Sequence, residues 1–170
     1  PIGCFNVESA SEMRRIARLA AEKDAIAPIS IRVNPDVDPD THPYISTGLK
    51  ENKFGVSVEE ALTLYQEATE LDSLKIVGVD CHIGSQITEL RPFLDALTRV
   101  LSLVDKLEDQ SITLEHIDLG GGIGVQYRDE VPIEIGDFAS AIEQAMSGRS
   151  QSLMFEPGRM IVANAGVLLT

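Results

Sequence analysis

Ile76-Val77-Gly78-Val79-Asp80-Cys81-His82-Ile83-Gly84-Ser85-Gln86 is the stretch that decides the fold. Ile76 to Val79 is a short apolar run of the kind a buried parallel strand needs, and it runs into the polar, glycine-bearing turn His82-Ile83-Gly84-Ser85-Gln86. The pattern occurs twice more downstream. His116-Ile117-Asp118-Leu119 leads into Gly120-Gly121-Gly122, and Leu153-Met154-Phe155 leads into Glu156-Pro157-Gly158-Arg159. Three such turns at the ends of successive strands converge on one rim of a parallel β/α array, where (β/α) barrels place their chemistry. Together they describe a site for a phosphorylated cofactor.

Helical periodicity fills the intervals. A strand over Ile2–Val7 precedes a capping box, Ser9-x-x-Glu12, after which Met13, Ile16, Ala17 and Ala20 form an apolar stripe. Ile29 to Val33 is a second strand, closed by Asn34-Pro35. A second capping box, Ser57-x-x-Glu60, opens a helix with Ala61, Leu62, Tyr65 and Ala68 inward. The longest helix is expected from about Pro92 to Leu107, with Phe93, Leu97, Val100, Leu101 and Val104 on one face. A further helix carries Phe138, Ile142 and Met146. The order β-α-β-α-β-α-β-α-β predicts a parallel sheet with helices outside, coiling toward a barrel. The one long irregular connection runs from Pro35 to Gly55.

At 170 residues the chain can bury a real core but is shorter than the roughly 250 residues of a complete eight-fold barrel. The fold expected is therefore α/β, a partial (β/α)8 TIM-type barrel over 1–170, roughly the C-terminal half of such a barrel and a piece of a longer protein. A net charge of −13 argues against nucleic acid. No basic run suits a membrane surface, and no apolar stretch reaches the roughly 18 residues of a membrane span. Cys4 and Cys81 make no disulfide framework, which fits a reducing, cytoplasmic setting.

Each motif admits more than one reading. Gly120-Gly121-Gly122-Ile123-Gly124 follows a strand, but G-x-G-x-x-G fails because the last glycine falls on Val125 or Tyr127. What remains is either a tight turn or a place where backbone amides approach an anion. Cys81 and His82 are neighbours and should point to opposite faces of a strand, so no metal site is expected from them. His82 is a candidate because Gly84-Ser85-Gln86 adds flexible backbone and a hydroxyl donor; His42 and His116 lack such company and read as structural. Asp36, Asp38 and Asp40 alternate like a calcium loop, but Thr41 and Thr47 replace the required Gly and Glu, leaving solvated carboxylates. Glu156-Pro157-Gly158-Arg159 sets an acid and a planar guanidinium at a strand end, suited to a phosphate or carboxylate or, more plainly, to a mutual surface pair.

With these residues in view, the chain resembles the fold-type III pyridoxal-phosphate decarboxylases, most closely the diaminopimelate decarboxylases. The resemblance covers essentially all 170 residues. It rests on the three turns, on Phe5-Asn6-Val7-Glu8-Ser9, on Arg32-Val33-Asn34-Pro35, and on His42-Pro43-Tyr44-Ile45-Ser46-Thr47-Gly48 through Asn52-Lys53-Phe54-Gly55. The turns are shared with ornithine and arginine decarboxylases of the same fold; the long loop is the part typical of the diaminopimelate enzymes.

The resemblance implies pyridoxal 5'-phosphate as cofactor and decarboxylation of meso-2,6-diaminopimelate to L-lysine, the last step of lysine biosynthesis. It implies that His82 stacks on the cofactor ring, that Ser85 and the amides of Gly120, Gly121 and Gly122 hold the phosphate, and that Gly158 and Arg159 complete the cradle. Glu156 would face the pyridine nitrogen, Arg159 would also reach a substrate carboxylate, and Arg32 would line the barrel floor. The family's Schiff-base lysine and the catalytic cysteine it supplies across a homodimer interface match neither Lys53 nor Cys81. They are expected on N-terminal strands and in a C-terminal β-domain outside these residues, so the 170 residues alone are expected to be inactive. Two alternatives stand: an ornithine- or arginine-type decarboxylase of the same fold, and an inactive barrel homologue that binds a partner.

Overall fold

The computed structural model describes residues 2–37 and 54–167. Asp38, Asp40, Thr41, His42, Thr47, Lys53 and the rest of the 38–53 segment lie outside the described residues. Five strands alternate with helices: β1 Phe5–Val7, α1 Ala10–Glu22, β2 Ala27–Val33, α2 Val58–Thr69, β3 Leu74–Cys81, α3 Arg91–Glu108, β4 His116–Asp118, α4 Ile135–Ala145, β5 Ser152–Met154 and α5 Gly158–Val162. All strands are parallel and their order in the sheet is β1-β2-β3-β4-β5. Each strand lies beside its predecessor, so the chain winds in one direction as in a (β/α) barrel and does not reverse as in a doubly wound sheet. Among the described helices none is long and apolar enough to cross a membrane.

Local chemistry explains the boundaries. The serine half of both capping boxes forms: Ser9 Oγ accepts from the Glu12 amide at 3.2 Å, and Ser57 Oγ from the Glu60 amide at 3.1 Å. The Glu12 carboxylate reaches back to the amide of Glu8, one residue before the cap, at 2.7 Å. Pro92 occupies the first turn of α3, where its missing N–H costs nothing. In α2 the buried stripe is Ala61, Leu64, Tyr65 and Ala68; Leu64 takes the place expected of Leu62, which is only half-buried. The first strand is shorter than Ile2–Val7, and Ile2 is exposed. The helix opened at Gly158 was not anticipated.

The sheet has two unlike faces. Val7, Ile31, Val79, Ile117 and Leu153 align across all five strands, and the first four are fully buried beneath the helices. One residue further along, Arg32, Asp80, Asp118 and Met154 align on the opposite face; two residues back on that face, Asn6, Ser30, Gly78, His116 and Ser152 align. A register shift between Ile29 and Ser30 leaves Val77 unpaired in β3 and brings Gly78 opposite Ser30. The helix-facing side is thus a continuous apolar core, and the inner side is polar. The edge strands carry exposed apolar residues: Phe5 on β1, and Met154 on β5 followed by Phe155.

Candidate functional site

The three turns of the sequence do meet at the C-terminal ends of β3, β4 and β5. Backbone pairing locks them together. Ile87 pairs with Ile123, its amide donating to Gly122 O at 2.9 Å while Gly124 donates back to Ile87 O at 2.9 Å. The Gln86 amide does the same in miniature, donating to Val125 O and accepting from Val125 N at 3.1 Å. The Glu156 amide donates to Gly120 O at 2.8 Å, tying the third turn to the second.

His82 emerges just past β3, and Cys81 before it is buried among apolar side chains with its thiol pKa pushed up by burial. The His82 ring lies between two carboxylates: Nε2 is 2.7 Å from Glu156 Oε2, and Nδ1 is 3.2 Å from Asp80 Oδ1. The second contact is within ion-pair range, but its alignment falls short of a hydrogen bond. Asp80 first and Glu156 second outweigh partial burial and hold the imidazole pKa up at about 9, so the ring is a cation at neutral pH. Asp80 is buried and also lies 3.8 Å from Arg32 Nε. Arg32 in turn contacts Glu8 at 2.5 Å and lies 5.3 Å over the Phe54 ring, while Glu8 accepts the Gly55 amide at 3.2 Å. A line of alternating charge, Glu8–Arg32–Asp80–His82–Glu156, therefore runs along the inner face to the rim.

The glycines are demanded by this closure. A Cβ on Gly120, whose φ is +66°, would lie 2.5 Å from the His82 ring. On Gly121 it would lie 2.2 Å from the Glu156 carbonyl oxygen, and on Gly122, at φ +104°, 2.5 Å from Gly84 O. The Gly120 amide donates to the buried Asp118 carboxylate at 2.8 Å. Asp118 titrates above its usual range, chiefly because it is desolvated. Among the described residues nothing accepts the Gly121 and Gly122 amides. Gly158 is different: a Cβ there meets nothing within 4 Å, and its φ is ordinary.

Arg159 does not pair with Glu156 among the described ion pairs and hydrogen bonds. Its guanidinium donates to Ser85 Oγ at 2.9 Å and to Tyr127 Oη at 2.5 Å, and lies 5.7 Å from the Tyr127 ring centroid. The rim thus has an ionic part, His82 with Asp80 and Glu156, and a donor part, Ser85, Arg159 and the free amides. Asp80, Asp118 and Tyr127 were not singled out from sequence. A charged residue in an otherwise apolar strand was the available signal for the two aspartates; Tyr127 offered none.

Comparison with known proteins agrees with this arrangement. The family described as "Pyridoxal-dependent decarboxylase, pyridoxal binding domain" matches residues 1–163. The chain is 62% identical over 169 residues to the diaminopimelate decarboxylase of Pseudomonas aeruginosa and 57% identical over 169 residues to that of Haemophilus influenzae, covering 99% of this chain in both cases. It spans about 41% of the length of these relatives. The crystal structure of diaminopimelate decarboxylase from Helicobacter pylori complexed with L-lysine superposes with a TM-score of 0.89 at 44% identity, over 94% of this chain and 41% of that one. A one-way parallel sheet, a rim of three interlocked turns and a match from residue 1 to 163 lead to one conclusion: the chain belongs to the pyridoxal binding domain family of the pyridoxal-dependent decarboxylases.

Proposed function

We propose that these residues form the cofactor cradle of a decarboxylase that converts meso-2,6-diaminopimelate to L-lysine, with pyridoxal 5'-phosphate as cofactor. The observation that carries it is the donor set at the rim: Ser85 Oγ and the Arg159 fork 2.9 Å apart, and two glycine amides, of Gly121 and Gly122, that have no acceptor among the described residues. These are the groups a phosphate monoester needs, and the His82–Glu156 pair beside them offers a flat ring and a carboxylate to a pyridine.

The cofactor, when bound, supplies an electron sink for the pair left behind as carbon dioxide departs. The residues of this chain hold and tune it. Ser85, Gly121, Gly122 and Arg159 bind the phosphate, and Gly158 leaves room for it. The Gly120 amide is committed to Asp118, so Gly120 serves the site by letting His82 close over it. Glu156 would favour a proton at the pyridine nitrogen, because an ionised carboxylate favours the charged form of its partner. His82 would offer its flat face to the ring and help to orient it. Arg159 also receives a substrate carboxylate through its planar fork.

The remaining barrel strands, the Schiff-base lysine, the β-domain and its cysteine would come from the rest of the protein, which would act as a homodimer on a small amino acid. Exposed apolar residues at both sheet edges are where further strands would join. The test is carbon dioxide release by the complete protein, with pyridoxal phosphate, from meso-diaminopimelate against ornithine and arginine. Release from diaminopimelate alone supports the proposal. Release from ornithine or arginine instead assigns the polyamine branch, and cofactor binding without release from any of them marks an inactive homologue.

A further inference from the structure

Glu156 is asked to serve two cations. It is 2.7 Å from the His82 imidazole, and in the functional reading above its carboxylate also faces the pyridine nitrogen. One negative charge does not neutralise two positive ones. Asp118 offers little help: it is turned to the Gly120 amide, and burial favours its neutral form. Glu8 is committed to Arg32 at 2.5 Å and to the Gly55 amide. Arg32 leans on Asp80 only at 3.8 Å. The remaining carboxylate oxygen, buried and without a hydrogen bond among the described residues, is Asp80 Oδ1, 3.2 Å from His82 Nδ1. Strand alternation places it on the same face as His82, two residues earlier on β3.

We infer that Asp80 is a positioning residue: it supplies the counter-charge that keeps His82 oriented and cationic when Glu156 is committed to the cofactor. This rests on the functional reading above. Without Asp80 the loaded site holds an excess positive charge, and His82 discharges its proton as the cofactor binds. Glu8, Arg32, Asp80, Asp118, Glu156 and Arg159 are the charged groups described along this inner face and rim; Arg159 turns to Ser85 and Tyr127, and apart from Glu156 only Asp80 is in ion-pair range of the ring, through an Oδ1 that makes no hydrogen bond while Oδ2 lies toward Arg32.

The experiment compares pyridoxal 5'-phosphate affinity of the complete protein and its Asp80→Asn variant between pH 6.5 and 8.5. Releasing a proton on binding makes affinity rise with pH, so the variant's affinity relative to wild type should drop by up to about tenfold per unit as pH is lowered. A ratio independent of pH overturns the inference. Nitrogen-15 spectra of the His82 ring in loaded wild-type protein at pH 7.5 give a second reading that needs no variant. Protons on both ring nitrogens support the inference, and a neutral ring ends it. If wild-type protein does not bind pyridoxal phosphate, the functional reading falls first and this inference with it.

Discussion

His82 and His116 share one face of the sheet and lie toward opposite ends of it. His116, at the start of β4, covers Gly78: a Cβ on that glycine would lie 2.2 Å from its Nε2, a buried nitrogen with no hydrogen-bond partner among the described residues. Its neighbours across the sheet are Gly78 and Ser152, and among the described ion pairs no carboxylate is paired with it. His82, beyond the end of β3, lies between Asp80 and Glu156, which come from different strands. The same side chain fills space at one end and carries charge at the other. What differs is the register row: the rim collects carboxylates from β3 and β5 around one ring, whereas the opposite end supplies small residues.

The sharpest way to break this contrast is to prevent the rim from closing. Gly121→Ala drives a Cβ to 2.2 Å from the Glu156 carbonyl oxygen, a backbone atom that cannot swing aside. Overpacking of this kind costs about 1–3 kcal/mol of stability, so the melting temperature should fall by several degrees, and pyridoxal phosphate affinity should fall with the displaced turn. Gly158→Ala, in open space, should leave thermal stability within about 0.5 kcal/mol. Equal melting temperatures for the two variants would show that the turns do not interlock as described.

Glu156→Ala tests the ionic part. If Glu156 holds the pyridine proton it acts mainly as charge flows into the ring, so kcat should fall about tenfold or more, roughly 1.4 kcal/mol. Cofactor retention should fall less, since the donors on Ser85 and Arg159 remain. Glu156→Gln should lie between wild type and Ala. The competing account, a structural Glu156–Arg159 pair, is not favoured by the geometry, because Arg159 turns to Ser85 and Tyr127. An unchanged kcat per mole of bound cofactor would end the assignment.

Arg159→Lys is expected to have a milder effect. Lysine keeps the charge but cannot serve Ser85, Tyr127 and an anion from one planar fork. Loss of one net hydrogen bond, about 1 kcal/mol, corresponds to roughly fivefold in kcat/KM. A change within about twofold would remove Arg159 from the donor set.

Much of this arrangement was legible in the residues. Alternating apolar runs and amphipathic stretches locate all five strands and four of the five helices, because periodicity is a local property of the chain. Both caps were legible for the same reason. The turns carrying His82, Ser85, Gly120, Glu156 and Arg159 stood out as polar breaks after buried strands. Asp80 and Asp118 were not assigned, although both lie inside quoted segments. Their partners two residues along, His82 and the Gly120 amide, follow from alternation and a turn that composition does not announce, and the pairing of Asp80 with Arg32 depends on the irregularity at Ile29/Ser30. Arg159 meeting Tyr127 is likewise a contact between residues 32 apart in sequence, one on α5 and one in a loop. The helix at Gly158 escaped notice because its five residues are too few to show a period.

The smallest expected effect is a pH dependence that the His82 end of the face should show in the cofactor-free protein. Its pKa is raised from an ordinary value of 6.5 to about 9 by Asp80 and then Glu156. A folded-state pKa above the unfolded one means the native protein binds the proton more tightly. The resulting stabilisation is fully present below about pH 6.5 and is lost as pH rises through 9. Melting temperature of the cofactor-free protein should therefore fall over that window, beyond any change shared with a His82→Gln variant, in which the ring no longer titrates. Glu156→Gln should remove only part of the excess, since Asp80 is the larger cause, and Asp80→Asn should remove more. The order of the three variants matters more than the size of any one. If Glu156→Gln flattens the slope as completely as His82→Gln, the exposed carboxylate governs the ring and the buried one is a bystander. If His82→Gln leaves the slope intact, the titration belongs to another group, and the charged line along the inner face does not end at His82.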